Sequence, residues 1–305
     1  MDKKGQIYLV EKAISPLKIF KNVVNDIIKP ENQIKPYYIS ENAVIFNHDC
    51  LEVLSRINDN SVDMIFADPP YMLSNDGFTC QNGRMVNVNK GKWDKSKGFE
   101  EDSKFHDAWI AACRRVLKPE GTIWISGTYH SIYQCGYLLQ KNDFHILNDI
   151  SWFKPNAAPN LSCRFFTASH ETIIWARKDK KAKHTFNYDK MKNGVFPEDK
   201  MKKENTQMRS VWSIPTPKNG EKEFGKHPTQ KPLDLLLRII KASTNNGDII
   251  LDPFNGSGTT GVAAFLAGNR FYLGSEIDTS YCDLTVKRLL QVEKNNEENL
   301  FSVGC

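Results

Sequence analysis

Apolar residues fall along this chain in short unbroken runs separated by segments of helical spacing, and that alternation sets the architecture. Residues 43–46 (Ala-Val-Ile-Phe) and 62–67 (Val-Asp-Met-Ile-Phe-Ala) read as buried strands, and Leu51, Val53, Leu54 and Ile57 predict a short helix between them. Strand, helix and strand in so little chain imply a parallel crossover, which brings the residues after both strands to one edge of a sheet. Helical spacing returns at Phe105, Trp109, Ile110, Cys113, Val116 and Leu117, closed by Lys118-Pro119-Glu120-Gly121. Strands are predicted at 122–126, 146–152 and 171–176, with a helix over 132–139. A helix beginning near Thr229 places Leu235, Leu236, Ile239, Ile240 and Ser243 on one face. A strand at 248–252, a helix at 262–267, a strand at 270–274 and an amphipathic helix around Tyr281, Leu284, Leu289 and Leu290 complete the pattern. Alternation of this kind predicts an α/β fold.

Three segments lack a period. Residues 1–40 mix Lys, Asn and Pro and read as an N-terminal extension to a domain made of 41–176 and 227–295, with a loose polar tail at 296–305. The stretch from Tyr71 to Gly98 carries Gly77, Gly83, Gly91 and Gly98 and is too long for an ordinary connection, so a lid or a DNA-contacting loop is expected there. Residues 177–226 hold 14 Lys/Arg against 7 Asp/Glu, whereas the whole chain is only +5, so the remainder is net negative. Lysines interleaved with Phe186, Tyr188, Met208 and Trp212 suit phosphate neutralisation with base contact, and this segment reads as an insertion that touches nucleic acid. Ahead of it, Trp152 and Phe153 fit either a core or a ligand-facing place.

Seven cysteines without a C-x-x-C spacing argue against a zinc site and against a disulfide framework, and no metal is expected. They fit a reducing, cytoplasmic setting. The first twenty residues lack the apolar core of a signal peptide, and no run approaches the length of a membrane span, so no membrane partner is expected.

The candidate chemistry sits where two strands stop. Asp68-Pro69-Pro70-Tyr71 ends the second strand, since two prolines offer no N–H to a ladder, and the carboxyl edge of an open α/β sheet is where ligands bind. Two readings fit these four residues: a mere strand end, or a site for an amine. An exocyclic amine of adenine or cytosine is a poor nucleophile because its lone pair is delocalised into the ring. A carboxylate and a backbone C=O in a rigid turn accept its two N–H protons, and Tyr71 offers a face to an extruded base. The second stretch is Asp252-Pro-Phe-Asn-Gly-Ser-Gly-Thr-Thr-Gly261, a glycine-rich turn running from a strand into a helix, with Glu276 at the end of the next strand, placed to accept hydrogen bonds from a ribose diol. Gly256 to Gly261 also satisfies G-x-G-x-x-G, so a nicotinamide oxidoreductase fits that turn taken alone. His227, Thr229 and Lys231 stand before or in the first turn of their helix, where donors suit a carboxylate; capping and surface roles fit them equally.

Together the two stretches resemble the motif pair of S-adenosylmethionine-dependent DNA amino methyltransferases. Asp68-Pro-Pro-Tyr71 resembles the catalytic motif, and Asp252-Pro-Phe-Asn-Gly-Ser-Gly258 the cofactor motif, of adenine-N6 and cytosine-N4 enzymes. Their order, catalytic motif, basic region, His227-Pro-Thr-Gln-Lys-Pro232 and then cofactor motif, is that of the β class, over roughly residues 40–290. Trp93-Asp94, Ile123-Trp-Ile-Ser-Gly127, Ala158-Pro-Asn-Leu-Ser-Cys-Arg164 and Thr172-Ile-Ile-Trp-Ala-Arg177 add a likeness to the second (DpnA-type) adenine methyltransferase of GATC restriction-modification systems. The resemblance implies a Rossmann-like mixed sheet with helices on both faces, a circularly permuted motif order and a small target-recognition insertion at 177–226. It implies S-adenosylmethionine as cofactor and DNA, duplex and also single-stranded, as partner, with homodimers common. By the same resemblance Asp49, Asp252, Phe254, Gly256, Ser257, Gly258, Thr259 and Glu276 surround adenosine and ribose, and His227, Thr229 and Lys231 reach the methionine end. Asp68, which also lies at the cofactor, holds the adenine amine with the C=O of Pro69. Pro70 stiffens the turn and Tyr71 stacks on the base. Cytosine N4 is the nearest alternative product, although Asp in place of Ser at position 68 favours adenine. A DNA-binding protein with a vestigial site is a further one.

Overall fold

The computed structural model describes residues 8–9, 27–28, 34–72, 78–81, 84–87, 94–160, 162–192, 194, 196 and 206–302. In chain order the first half contains β1 (Tyr8–Leu9), β2 (Tyr38–Ile39), β3 (Ala43–Phe46), α1 (Cys50–Arg56), β4 (Val62–Ala67), the hairpin β5 (Phe78–Gln81) and β6 (Arg84–Asn87), α2 (Phe99–Val116), β7 (Leu117–Gly127), α3 (Ile132–Lys141), β8 (His145–Phe153) and β9 (His170–Arg177). The second half contains α4 (Tyr188–Lys192), β10 (Val211–Ser213), α5 (Leu233–Ser243), β11 (Ile249–Asp252), α6 (Thr259–Leu266), β12 (Phe271–Ser275) and α7 (Thr279–Ser302). Ten strands form one mixed sheet in the order β1-β2-β3-β12-β11-β4-β7-β9-β8-β10.

The five central strands β3, β12, β11, β4 and β7 are parallel, and β9 runs against them. β3 and β4 are thus parallel as expected, but β12 and β11 from the far end of the chain are threaded between them. Burial on both faces explains why these strands are continuous apolar runs. Val44, Ile65, Ile123, Leu251 and Leu273 point to α1, α2 and α3; Ile45, Phe66, Trp124, Ile250 and Tyr272 point to α5, α6 and α7.

Several elements differ from the sequence reading. β7 begins at Leu117 and not at 122, because the chain continues from α2 into β-pairing through a register shift between Val62 and Met64. A Cβ at Gly121 would stand 2.9 Å from the Lys118 carbonyl oxygen, so the turn signal there is a tight kink inside a strand. α5 begins at Leu233, with extended Pro232 as its N-cap, because proline holds the preceding residue out of helical geometry. Within the loop after Tyr71, residues 78–81 and 84–87 pair as antiparallel strands, and 73–77, 82–83 and 88–93 lie outside the described residues. α7 runs to Ser302, through most of the segment read as a tail; no Gly or Pro interrupts the sequence before Gly304. The basic segment is tied to the core: β10 pairs with β8, and Trp212 is buried beside Trp124 and over the Arg238 guanidinium, so Trp212 is not a nucleic-acid-facing aromatic. Met208 likewise accepts a contact from Arg238. Trp152 is core and Phe153 is exposed. Of residues 1–40, Ile27 and Ile28 pack into the core and Tyr38–Ile39 joins the sheet.

Candidate active site

Four parallel strands deliver carboxylates to one edge of the sheet. β3 leads to Asp49, β4 to Asp68 and β12 to Glu276, while β11 ends in Asp252. A cavity of about 580 Å³ opens there, a size usual for a small-molecule site. It is lined by Asp49, Asp68, Pro69, Pro70, Tyr71, His227, Thr229, Lys231, Asp252, Phe254, Gly256, Ser257, Thr259 and Glu276. Gly258 does not line it. Its φ is +72°, and a Cβ would lie 2.5 Å from Thr285 Cγ2, so this glycine serves the packing of the turn onto α7.

The Asp-Pro-Pro-Tyr turn is fixed on its backbone side by Asp94. The N–H groups of Tyr71 and Met72 both donate to Asp94 Oδ1, at 2.8 and 2.9 Å, and hold Met72 at a left-handed φ of 56°. On the side-chain face, Tyr71 Oη donates to Asp68 Oδ1 (2.6 Å) and lies 3.2 Å from Glu171 Oε2. Lys231 Nζ donates to Asp68 Oδ2 (2.5 Å) and Tyr71 Oη (2.9 Å), and is 3.6 Å from Glu171 Oε2; Lys154 Nζ is 3.1 Å from Glu171 Oε1. Two carboxylates therefore face two ammonium groups around one phenol. Tyr71 is only 5% exposed, with its hydroxyl turned inward. Lys231, expected at the methionine end of a cofactor, is committed to Asp68 and Glu171.

The environment separates the two acids. Burial pushes the Asp68 carboxyl up, with Lys231 pulling against it. Burial would raise Glu171 as well, but Lys231 and Lys154 reverse the sign and hold it at about 2. The pair of carboxylates raises the Lys231 ammonium against its own desolvation, and burial with the same carboxylates lifts the Tyr71 phenol, so both remain protonated. A second cavity of about 340 Å³, lined by Thr128, Trp152, Lys154, Glu171 and Thr216, shares Tyr71, Thr229 and Lys231 with the first.

The glycine-rich turn forms the opposite wall. Gly256 (φ +51°) donates its N–H to Glu276 Oε2 at 2.8 Å, and a Cβ there would meet the His227 ring at 3.3 Å. Glu276 Oε1 accepts from the Asp278 N–H (2.9 Å). Asp252 accepts from the Phe254 N–H (2.9 Å) and Thr260 Oγ1 (2.5 Å). Burial raises both carboxyls to about 7. Ser257 and Thr259 also serve the fold, since Arg288 Nη1 donates to the Ser257 carbonyl (2.6 Å) and to Thr259 Oγ1 (2.9 Å). Phe254 packs edge-on against Trp109 and leaves part of its surface in the cavity. Acceptor carboxylates, an apolar wall and close backbone approach suit an adenosine with a ribose diol.

Residues 62–287 match the family model described as DNA methylase, the N6/N4 methyltransferases. The chain belongs to this family. It is 50% identical over 264 residues to the type II methyltransferase M2.MboI of Moraxella bovis, covering 85% of this chain and 93% of that one. It is 51% identical over 266 residues to M2.DpnII of Streptococcus pneumoniae, covering 87% and 95%. Among solved structures, the complex of M1.HpyAVI with S-adenosylmethionine matches with a TM-score of 0.58 at 30% identity, over 81% of this chain and 98% of that one. The cytosine-N4-specific PvuII DNA methyltransferase matches with a TM-score of 0.64 at 19% identity, over 83% and 88%, which shows the shared fold.

This DNA methylase is thus an S-adenosylmethionine-dependent enzyme, and the nicotinamide reading of Gly256 to Gly261 is set aside. Two residues of the site, Asp94 and Glu171, stand outside the sequence-predicted set. Asp94 was visible only as part of a resembling motif, whose Trp93 lies outside the described residues. Glu171 opens an apolar strand, and only the antiparallel return of β9 beside β7 reveals where it points.

Proposed function

We propose that this DNA methylase transfers a methyl group to N6 of adenine in GATC, on duplex and on single-stranded DNA, as the second methyltransferase of a type II restriction-modification system in the cytoplasm. The observation that carries the reading is that Asp68 and Pro69 stand in the same cavity as the Gly256 turn and Glu276. The M2 relatives support the type II setting, Asp at position 68 supports adenine, and a chain in which no two of the described cysteines are bonded suits a reducing compartment. Among the described residues no helix is long and apolar enough to cross a membrane.

S-adenosylmethionine, when bound, supplies an electrophilic methyl on a sulfonium. The chain supplies the rest. Glu276 would accept hydrogen bonds from the ribose hydroxyls, Phe254 would supply an apolar wall for the adenine, and Asp49 and Asp252 would line the same nucleoside site. His227 and Thr229 would hold the methionine end. Asp68 and the Pro69 carbonyl accept the two N–H groups of the extruded base, and Tyr71 borders that base. Each carboxylate oxygen of Asp68 already accepts one donor and keeps capacity for another, so the amine enters without displacing Lys231. Lys231 works against the burial that raises the Asp68 carboxyl, and Asp68 orients the nitrogen lone pair along the line of displacement. The basic 177–226 segment approaches the phosphates.

The test is incubation with labelled methyl donor and duplex or single-stranded DNA, followed by nucleoside analysis and mapping. N6-methyladenine at GATC in both forms is expected. N4-methylcytosine would overturn the base assignment, and donor binding without transfer would overturn the catalytic reading. Asp68→Ala is expected to keep donor binding and abolish transfer; near-normal turnover would sink its role. A homodimer belongs to the same proposal and is read by light scattering.

A further inference from the structure

The connection from β8 to β9 presents two adjacent phenylalanines to solvent. Phe166 is 96% exposed, the most exposed large apolar side chain among the described residues, and Phe165 is 68% exposed. Adjacent aromatic rings held in water mark an interaction surface more often than isolated ones do. The bend that carries them is built. Asn160 Oδ1 accepts from the Ser162 N–H (3.0 Å), Asn160 Nδ2 donates to the Phe165 carbonyl (2.8 Å), the Asn160 N–H donates to Thr167 Oγ1 (3.2 Å), and Cys163 takes a left-handed φ of 52°.

The roots of the same connection belong to the active site. Lys154 and Glu171 leave and enter the sheet as an ion pair, and Glu171 lies within hydrogen-bond reach of the Tyr71 hydroxyl. β8 runs in the direction of β4, so its end and Asp68 share one edge of the sheet. The connection therefore leaves and re-enters the sheet at the edge that carries Asp68, and Arg164 precedes the two phenylalanines in sequence.

We propose that Phe165 and Phe166 form a wedge that enters the base stack at the step from which the target base is extruded, with Arg164 on an adjoining phosphate. The inference rests on the extruded-adenine reading above. Extrusion leaves a gap and sacrifices stacking on both sides of it. An apolar ring inserted there replaces part of that stacking without reading sequence. The wedge thus acts on the cost of opening a duplex and not on methyl transfer itself.

The experiment compares the full-length chain with its Phe165→Ala/Phe166→Ala variant on two oligonucleotide duplexes containing GATC. One is matched, and the other carries an abasic residue opposite the target adenine, where pairing is already lost. Because both rings are exposed, S-adenosylmethionine binding by calorimetry is expected to stay within about twofold of the parent, which also reports an intact fold. On the matched duplex kcat/KM is expected to fall by roughly tenfold or more, and on the abasic duplex by less than about threefold. Equal losses on the two duplexes, or an unchanged rate on the matched one, would overturn the wedge. A parent chain that methylates neither duplex would instead overturn the GATC adenine reading, so the two failures are distinguishable.

Discussion

Glu276 and Asp252 are carboxylates whose ionisation is poised by burial, each raised to about 7, and this has a consequence for cofactor affinity. A ribose hydroxyl donates to the ionised form of Glu276, so binding favours deprotonation of that one group, while Asp252 keeps its donors Thr260 and the Phe254 N–H. Affinity is therefore expected to be full above pH 7 and to weaken by up to about tenfold per unit as pH falls below it, with protons released on binding near pH 7. Calorimetry in two buffers of different ionisation enthalpy measures this, and Glu276→Gln is expected to flatten the profile; a parent profile flat through pH 7 would contradict it. Glu171 is shifted the opposite way, held at about 2 against an ordinary 4.5 by Lys231 and Lys154. A depressed acid contributes stability that is present above its ordinary value and is lost only as pH falls toward the folded one. Glu171→Gln leaves Lys231 with Asp68 and takes the carboxylate partner from Lys154. It is expected to cost about 3 kcal/mol at pH 7, with a smaller difference from the parent at pH 3.5, both read from denaturant unfolding. A kcat loss larger than any change in KM would mark Glu171 as positioning Asp68 through Lys231.

At the level of elements, the Gly256 turn joins β11 to α6 through two glycines with different tasks. Gly256 is close to His227 in the cavity, whereas Gly258 is wedged against Thr285. Gly258→Ala meets both a backbone at φ +72° and a 2.5 Å approach. It is expected to destabilise the chain by about 2 kcal/mol or more, where Gly220→Ala, with nothing within 4 Å, is expected to be near neutral; thermal unfolding of the two variants compares them. The glycine spacing in the sequence announced a turn but not which glycine faced the ligand, because that depends on where α7 returns. The same limit applies elsewhere. Val62 to Ala67 was legible as a strand, since burial on both faces leaves an unbroken apolar run, and Asp68-Pro69-Pro70 was legible as its end. The bulged start of β7 was not, because Lys118-Pro119-Glu120-Gly121 is locally a helix stop. Asp94 and Glu171 were illegible as site residues because each reaches Tyr71 across long sequence separations. Composition alone does not distinguish an aromatic in a basic segment, such as Trp212, from one closing a core; the pairing of β10 with β8 does.

On the scale of the molecule, the motif order matters more for folding than for chemistry. β11 and β12, encoded after residue 227, occupy the places between β3 and β4, which are encoded before residue 68. Neither half possesses a complete sheet: without β11 and β12, β3 and β4 have no partner toward each other, and two apolar strand edges stand open. The site shares this dependence, because Asp68 comes from one half and Lys231 and Glu276 from the other. The catalytic and cofactor halves are therefore expected to unfold together, as one cooperative unit. Denaturant unfolding followed by tryptophan fluorescence and far-UV circular dichroism should give coincident transitions. S-adenosylmethionine at about 100 times its Kd should move that one transition by about 2.7 kcal/mol at 25 °C. Two separable transitions, of which only one responds to the cofactor, would show instead that residues 227–295 fold on their own, and would contradict the interleaving that brings the donor site to Asp68.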